Sequence, residues 1–69
     1  MQNRKPKFVK GDRVTVSPKS VSPYRGCSGI VERVMEEKGG FLFIVQFGKS
    51  GDLTITDNFQ EDNLQKIGS

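Results

Sequence analysis

The chain has 69 residues with a formal net charge of +3, and 19 of them are Val, Ile, Leu or Phe, enough for a chain to fold. A chain of this length buries only about 60% of the surface that it exposes when unfolded, which argues against a large internal cavity or a deep active-site cleft. Its single cysteine and lack of histidine exclude an internal disulfide and a histidine-containing zinc site.

The N-terminal region is polar and basic, and we interpret residues 1–7 as a flexible arm. One folded domain is predicted over residues 8–67, followed by a short tail, 68–69. The first strand is predicted over residues 12–17, because valines alternate there with polar side chains. A long irregular connection follows over residues 17–28, since serine, proline and glycine dominate it.

The second strand is predicted over residues 29–35. Adjacent Ile30 and Val31 break the strict alternation of a strand, which indicates a bulge or a strong bend. Gly26 and Gly29 bracket the turn that leads into this strand. We therefore predict that at least one of them has a positive φ or a backbone packed too closely for a side chain.

A glycine-containing hairpin turn is predicted over residues 36–40, and a third strand over residues 41–47. The third strand is apolar on both faces for most of its length, so we expect something to cover each face. Leu42 and Ile44 lie on the second face, and they are either covered within the chain or form an interface. A second turn is predicted over residues 48–52.

A short fourth strand is predicted over residues 53–56, with Asp57 and Asn58 ending it. A single tight helical turn is predicted over residues 61–63, before a last strand over residues 64–67. The predicted fold class is all-β: a small, five-stranded, partly open barrel with a short helical turn before the last strand. Its core is predicted to contain the apolar positions of the alternating segments, namely Val14, Val16, Val31, Val34, Phe43, Val45, Phe47 and Leu64.

Two segments of the sequence resemble the KOW pattern. In that pattern a G-D-x-V-x-V strand leads through a G-x-x-G turn to an x-V-x-x-V strand, and the matching segments here are residues 10–16, KGDRVTV, and residues 24–34, YRGCSGIVERV. KOW modules are Src-homology-3-like barrels of transcription elongation factors and ribosomal proteins. The resemblance implies this fold and binding to RNA or to proteins.

Two other families have a similar architecture. Residues 26–34 with Val45, Phe47, Phe59 and Leu64 resemble the photosystem I accessory subunit and related ferredoxin-associated electron-transport proteins, which carry no cofactor and dock a partner. Type II dihydrofolate reductase is similar over residues 11–14 and 64–67. It relies on a Val-Gln-Ile-Tyr stretch where this chain has Leu-Thr-Ile-Thr, so we set reductase activity aside.

Charge is distributed unevenly along the chain. Residues 1–33 carry eight basic and two acidic side chains, a balance of +6, whereas residues 34–69 carry three and six, a balance of −3. The basic half can attract a polyanion; alternatively, its charge only keeps a small protein soluble. Tyr24 and Arg25 add a flat aromatic ring and a guanidinium, which suit stacking on bases or anchoring a protein; alternatively, Tyr24 packs over Pro23 and closes the mouth of the barrel.

We find no pattern that favours catalysis, so the chain is predicted not to be an enzyme and to hold no metal or cofactor. Cys27 is interpreted as a small packing residue. Asp57, Glu61 and Asp62 lack the ligand spacing of a calcium loop, and we assign them turn-stabilising roles. Residues 48–51 lack the strand-to-helix context of a phosphate loop.

Our leading hypothesis is a non-catalytic module that binds nucleic acid, RNA or DNA, or a ribonucleoprotein. The alternative is a protein-docking accessory subunit, in which Leu42, Ile44 or the acidic second half contacts a partner. The chain lacks an apolar run near the roughly 20 residues that span a bilayer and lacks a signal-peptide pattern, so we predict a cytoplasmic protein without membrane contact. The candidate binding residues are Arg4, Lys5, Lys7, Lys10, Arg13, Lys19, Tyr24 and Arg25.

Overall fold

Five strands and one helical turn make up the structure. The computed structural model describes residues 5–67, apart from the side chains of residues 49 and 50. The predicted arm is therefore described only from Lys5, and the predicted tail lies outside the described residues. The elements are β1 (Arg13–Val16), β2 (Ser28–Glu37), β3 (Gly40–Ser50), β4 (Leu53–Gln60), a 3-10 turn (Glu61–Asn63) and β5 (Leu64–Lys66).

The strands form one sheet in the order β4-β3-β2-β1-β5, and every neighbouring pair is antiparallel. Within residues 5–67, β4 and β5 are its two edges, so the sheet is not closed into a barrel. The predicted all-β fold of five strands, with a helical turn before the last strand, is confirmed. The architecture is compatible with a Src-homology-3-like fold. No helix in the described part of the chain is long and apolar enough to cross a membrane.

One cluster of buried apolar side chains forms the core. The prediction is wrong for Val34 and Phe47, which are half-buried and pack against the cluster from outside it, and it omits Phe8 and Phe59. Phe8 precedes β1, and its ring meets that of Phe43 edge-on at a centroid distance of 5.2 Å. The buried members are Phe8, Val14, Val16, Val31, Phe43, Val45, Phe59 and Leu64.

Both long strands bend where their pairing is irregular. The register of β2 against β3 shifts between Val31 and Arg33, which confirms the predicted bulge. The register of β3 against β4 shifts between Gln46 and Gly48. Because a bulge bends its strand and increases the local twist, these two positions let a small sheet curve around its core.

Gly26 and Gly29 confirm the predicted turn in two different ways. Gly26 has a φ of +81°, which residues other than glycine rarely adopt. Gly29 lies so close to β3 that a Cβ atom there would be 2.6 Å from the carbonyl oxygen of Gln46. The first glycine therefore makes the turn, and the second allows β2 and β3 to approach each other.

β4 continues through the residues that were predicted to end it. Asp57 pairs with Val45 and Asn58 with Ile44 of β3. The N–H of Asn58 also donates to the Asp57 carboxylate Oδ1 at 2.8 Å. The predicted end at residue 56 is wrong because pairing with a long central strand outweighs the turn preference of Asp and Asn.

Leu42 and Ile44 lie on the face of β3 that points away from the core, where the cross-strand neighbours of Ile44 are Arg33 and Asn58. Both side chains are half-buried. No helix or second sheet formed by residues 5–67 lies over them, so the predicted cover is not found there. Cross-strand neighbours cover part of the Leu42 and Ile44 side chains, since opposite side chains on one face lie about 5 Å apart.

Candidate binding surface

The predicted cationic residues lie at the surface. One ion pair is found within residues 5–67, between Lys66 Nζ and Asp12 Oδ1 at 3.9 Å. None of the predicted cations has a carboxylate partner in that part of the chain, so their charges are available to an anionic ligand. Arg4 lies outside the described residues, and the exposed members are Lys5, Lys7, Lys10, Arg13, Lys19 and Arg25.

Lys7, Lys10 and Arg13 recur at every third position on the segment that leads into β1. An extended chain spans at most about 3.6 Å per residue, so consecutive cations are no more than about 11 Å apart along the backbone. Two contacts fix this segment. Phe8 is buried in the core, and the N–H of Gly11 donates to the carbonyl of Val31 in β2 at 2.8 Å. These contacts hold the segment that carries the three cations, here called the basic row, against the core and β2, with Lys10 in a turn closed by the bond from the N–H of Asp12 to the carbonyl of Val9 at 3.0 Å.

The connection between β1 and β2 is ordered by its own serines. The hydroxyl of Ser17 accepts from the N–H of Lys19 at 3.2 Å, and that of Ser20 from Ser22 at 3.1 Å. The hydroxyl of Ser22 accepts from the N–H of Tyr24 at 3.0 Å. Short hydroxyl side chains often hold turns in this way, by bonding to the backbone two residues further on. The predicted irregular connection is thus a series of defined turns.

Tyr24 stacks on Phe47, with ring centroids 4.7 Å apart and planes 9° apart. Phe47 in turn meets Phe59 edge-on at 5.9 Å. The N–H of Gly26 donates to the carbonyl of Val16 at 2.9 Å, which ties the loop to the end of β1. Tyr24 therefore packs against one end of the core through Phe47, and its side chain is half-buried.

A broad groove of about 560 Å³ crosses β1, β2 and β3 at this end of the sheet. Arg13 lies opposite Ile30, and Ile30 lies opposite Gln46, so a guanidinium, an aliphatic side chain and an amide stand side by side. Gly29 and Gly48 also line the groove, and neither has a side chain that would narrow it. The complete lining is Arg13, Ser28, Gly29, Ile30, Gln46, Phe47 and Gly48.

The groove links two parts of the predicted site that are separate in sequence. It contains Arg13 from the basic row and Phe47, on which Tyr24 stacks. Lys7 is at the other end of the core, because its neighbour Phe8 packs on Phe43, four residues or about 13 Å from Phe47 along β3. The sequence identified Arg13 and Tyr24 but not Ile30 or Gln46, whose alternation in the strands carries no signal of a groove.

A second, smaller groove of about 200 Å³ lies at the opposite end of β3, around Phe41. It joins the β2–β3 hairpin to the 3-10 turn and has three carboxylates and one ammonium at its rim, those of Glu37, Glu61, Asp62 and Lys38. The uneven distribution of charge along the sequence therefore corresponds to an uneven distribution over the surface of the sheet. The acidic groove is about 20 Å along β3 from the groove that contains Arg13.

Cys27 is exposed, so the prediction that it is a packing residue is wrong. The backbone of this residue, rather than its side chain, serves the fold. Its carbonyl accepts from the N–H of Val16 at 2.8 Å, and its N–H donates to the carbonyl of Tyr24 at 2.9 Å. These bonds continue the pairing of β1 into the loop and leave the thiol at the surface.

Comparison with known proteins places the chain in no family. No protein-family model matches it, and neither a curated protein nor a solved structure matches it.

Proposed function

We propose that this protein is a non-catalytic module that binds single-stranded nucleic acid, with the groove around Arg13 as its contact surface. The observation that carries this proposal is the composition of that groove. It combines an exposed guanidinium without a carboxylate partner in residues 5–67, a side-chain amide, a hydroxyl and an exposed isoleucine. Phosphates bind such cations, and unpaired bases bind amides and apolar side chains.

The basic row supports the same proposal. Lys7 and Lys10 are exposed cations within six residues of Arg13, so they add to the positive charge that attracts phosphates. The resemblance of residues 10–16 and 24–34 to the KOW pattern is compatible with both candidate functions, because that family generally binds RNA or proteins.

Tyr24 and Arg25 have a secondary role in the proposed site. One face of the Tyr24 ring is occupied by Phe47, so a base can stack only on the other face. The guanidinium of Arg25 donates to the carbonyl of Ser22 at 3.3 Å and remains exposed. We therefore assign Arg13 the larger electrostatic contribution and Tyr24 a contribution from stacking.

The proposal is tested with a short, fluorescently labelled RNA and the corresponding DNA, by anisotropy at several salt concentrations. Affinity should fall as salt rises, because each phosphate contact releases counterions. Arg13→Gln should weaken binding severalfold and lower the slope of log affinity against log salt by about 0.7, the value of one contact to a single strand. Lys38→Gln makes the same charge change at the acidic groove and should leave both quantities near those of the parent.

Two results would contradict the proposal. One is the absence of binding to either nucleic acid at about 50 mM salt with tens of micromolar protein, where even non-specific complexes form. The other is an equal loss in the two variants, because binding would then depend on net charge and not on the groove.

A protein-docking function is the second candidate, and the outer face of the sheet favours it. Ile30 and Met35 are 46% and 38% exposed there, beside half-buried Leu42 and Ile44. An apolar strip of this kind suits the centre of a protein interface. If nucleic acid does not bind, pull-downs from the source cells with the parent and with Ile44→Asp test this candidate. Proteins that the parent captures and Ile44→Asp does not capture are partners of this face.

A further inference from the structure

The two edges of the sheet differ in how they are protected. β5 is three residues long and carries Lys66, and short length and lysine both discourage pairing with another strand. β4 is eight residues long and pairs only with β3 among the strands of residues 5–67. Its outer edge therefore presents backbone N–H and C=O groups without a strand partner in that part of the chain.

The first half of β4, residues 53–56, has none of the features that normally block an open edge, because it contains no proline and no charged side chain. The one charged side chain of β4, Asp57, lies in the second half, where it is half-buried on the same face as its partner Val45 and discourages pairing there. Threonine and isoleucine in the first half favour extended structure. An edge of this length and composition is a template for another strand.

The open part of β4 is its first half. At its C-terminal end, β4 runs directly into the 3-10 turn and β5, which lead the chain back towards β1. Its N-terminal end lies beside the Gly51–Asp52 turn, and Leu53 there is 73% exposed. Ile55, on the same face as Leu53, is half-buried.

We propose that β4 pairs antiparallel with β4 of a second copy of this chain, about a two-fold axis at Thr54. In this register Thr54 lies opposite Thr54, and Leu53 lies opposite Ile55 on both sides of the axis. The pairing covers the exposed leucine with an apolar neighbour and joins two sheets of five strands into one. A register centred on Asp57 would instead oppose two carboxylates.

This dimer does not use the nucleic-acid surface. β1 is three strands away from β4 in the sheet, or about 14 Å at the usual strand spacing, so Arg13 stays exposed in the dimer. Pairing through backbone groups depends little on salt, whereas binding to phosphates depends on it strongly. The failure of either proposal leaves the other intact.

Sedimentation velocity over about 10 µM to 1 mM protein tests the dimer. A reductant is included, because the exposed Cys27 could otherwise link two chains. The mass should rise from 7.7 kDa towards twice that value as concentration increases. Thr54→Lys should stay at the mass of one chain, since it places two like charges opposite each other, whereas Gln65→Lys, with the same added charge on β5, should still form the dimer.

A mixture of two variants identifies the strand that forms the interface. Thr54→Glu alone should also sediment as one chain, and an equimolar mixture with Thr54→Lys should restore the doubled mass because opposite charges then meet. Thr54 is exposed, so both variants should keep the far-ultraviolet spectrum of the parent. Amide hydrogen exchange should show alternate amides of β4 becoming more protected at high concentration in the parent and not in Thr54→Lys.

Three results would overturn this proposal. The parent could remain at the mass of one chain throughout the concentration range. The doubled mass could persist in Thr54→Lys, which would place the interface elsewhere. Finally, β4 amides could become protected only when an extended peptide of different sequence is added, which would make the occupant a foreign strand and not a second copy.

Discussion

Gly29 lies in β2 where the neighbouring β3 leaves no room for a side chain. A Cβ atom at this position would be 2.6 Å from the carbonyl oxygen of Gln46 and 2.7 Å from Cγ1 of Val45. Gly29→Ala should therefore lower the free energy of unfolding by about 1 to 3 kcal/mol, the usual cost of forcing an extra methyl group into a packed region. Urea denaturation measures this difference.

Gly40 is the matched control for that substitution. It also lies in a strand, but an added Cβ would meet no atom within 4 Å, and its φ is not in the left-handed region. Gly40→Ala should change the free energy of unfolding by no more than about 0.5 kcal/mol. Equal effects of the two alanines would mean that the close approach of β3 is not what requires glycine at position 29.

Individual residues also show which features of the structure could be predicted from the sequence. Gly26 and Gly29 were identifiable because a glycine beside a broken strand pattern usually marks a bulge, a tight bend or a close approach of two backbones. The exposure of Cys27 was not predictable, because cysteine is usually buried, whereas here Cys27 contributes to the loop through its backbone bonds and not through its thiol. Burial of a loop side chain depends on which way the turn points it, and composition does not determine that direction.

At the scale of elements, the loop between β1 and β2 depends on the stack of Tyr24 on Phe47. Tyr24→Ala should loosen the loop, so the amide of Gly26, which donates to Val16, should exchange hydrogen faster. Tyr24→Phe keeps both rings and should retain the exchange rate of the parent. Native-state hydrogen exchange measures both.

The same pair of variants distinguishes the ring stack from the other contacts that order this loop. If Gly26 stays equally protected in Tyr24→Ala, the serine turns alone order the loop and the stack is not needed for it. If protection is lost in both variants, the hydroxyl of Tyr24 and not its ring holds the loop. Each outcome contradicts the role that we assign to ring stacking.

Strands were predictable to different degrees. β1 and β3 alternate or are strongly apolar, so local pattern was sufficient to detect them. The predicted end of β3 at residue 47 is wrong, because the strand continues through the first part of the predicted turn to Ser50. The second half of β4 was not predictable, because Asp57 and Asn58 are turn formers whose extended conformation depends on pairing with Val45 and Ile44. The groove likewise depends on two register shifts between strands, which involve residues distant in sequence.

At the scale of the whole molecule, the described residues form one core of eight apolar side chains that supports the sheet. The sequence pattern identified the six members that lie on alternating segments. It missed Phe8 because this residue precedes β1. It missed Phe59 because this residue lies in the second half of β4, beyond the point at which local sequence preference predicts the end of that strand. A single core in so small a protein rarely contributes more than about 3 to 5 kcal/mol of net stability, so each member matters.

Phe8 provides the test of that argument, because it connects the basic segment to the core through its edge-on contact with Phe43. Phe8→Ala should cost about 3 to 5 kcal/mol and leave most molecules unfolded at 25 °C, whereas Phe8→Leu should cost about 1 kcal/mol and stay measurable. Val9→Ala is the neighbouring control, since Val9 is 56% exposed, and should cost no more than about 0.5 kcal/mol. Thermal and urea denaturation should be compared at one protein concentration, because self-association through β4 would add a concentration-dependent term. If Phe8→Ala unfolds with the same midpoint as Val9→Ala, the core does not include the segment before β1 and Lys7 is not held beside the sheet.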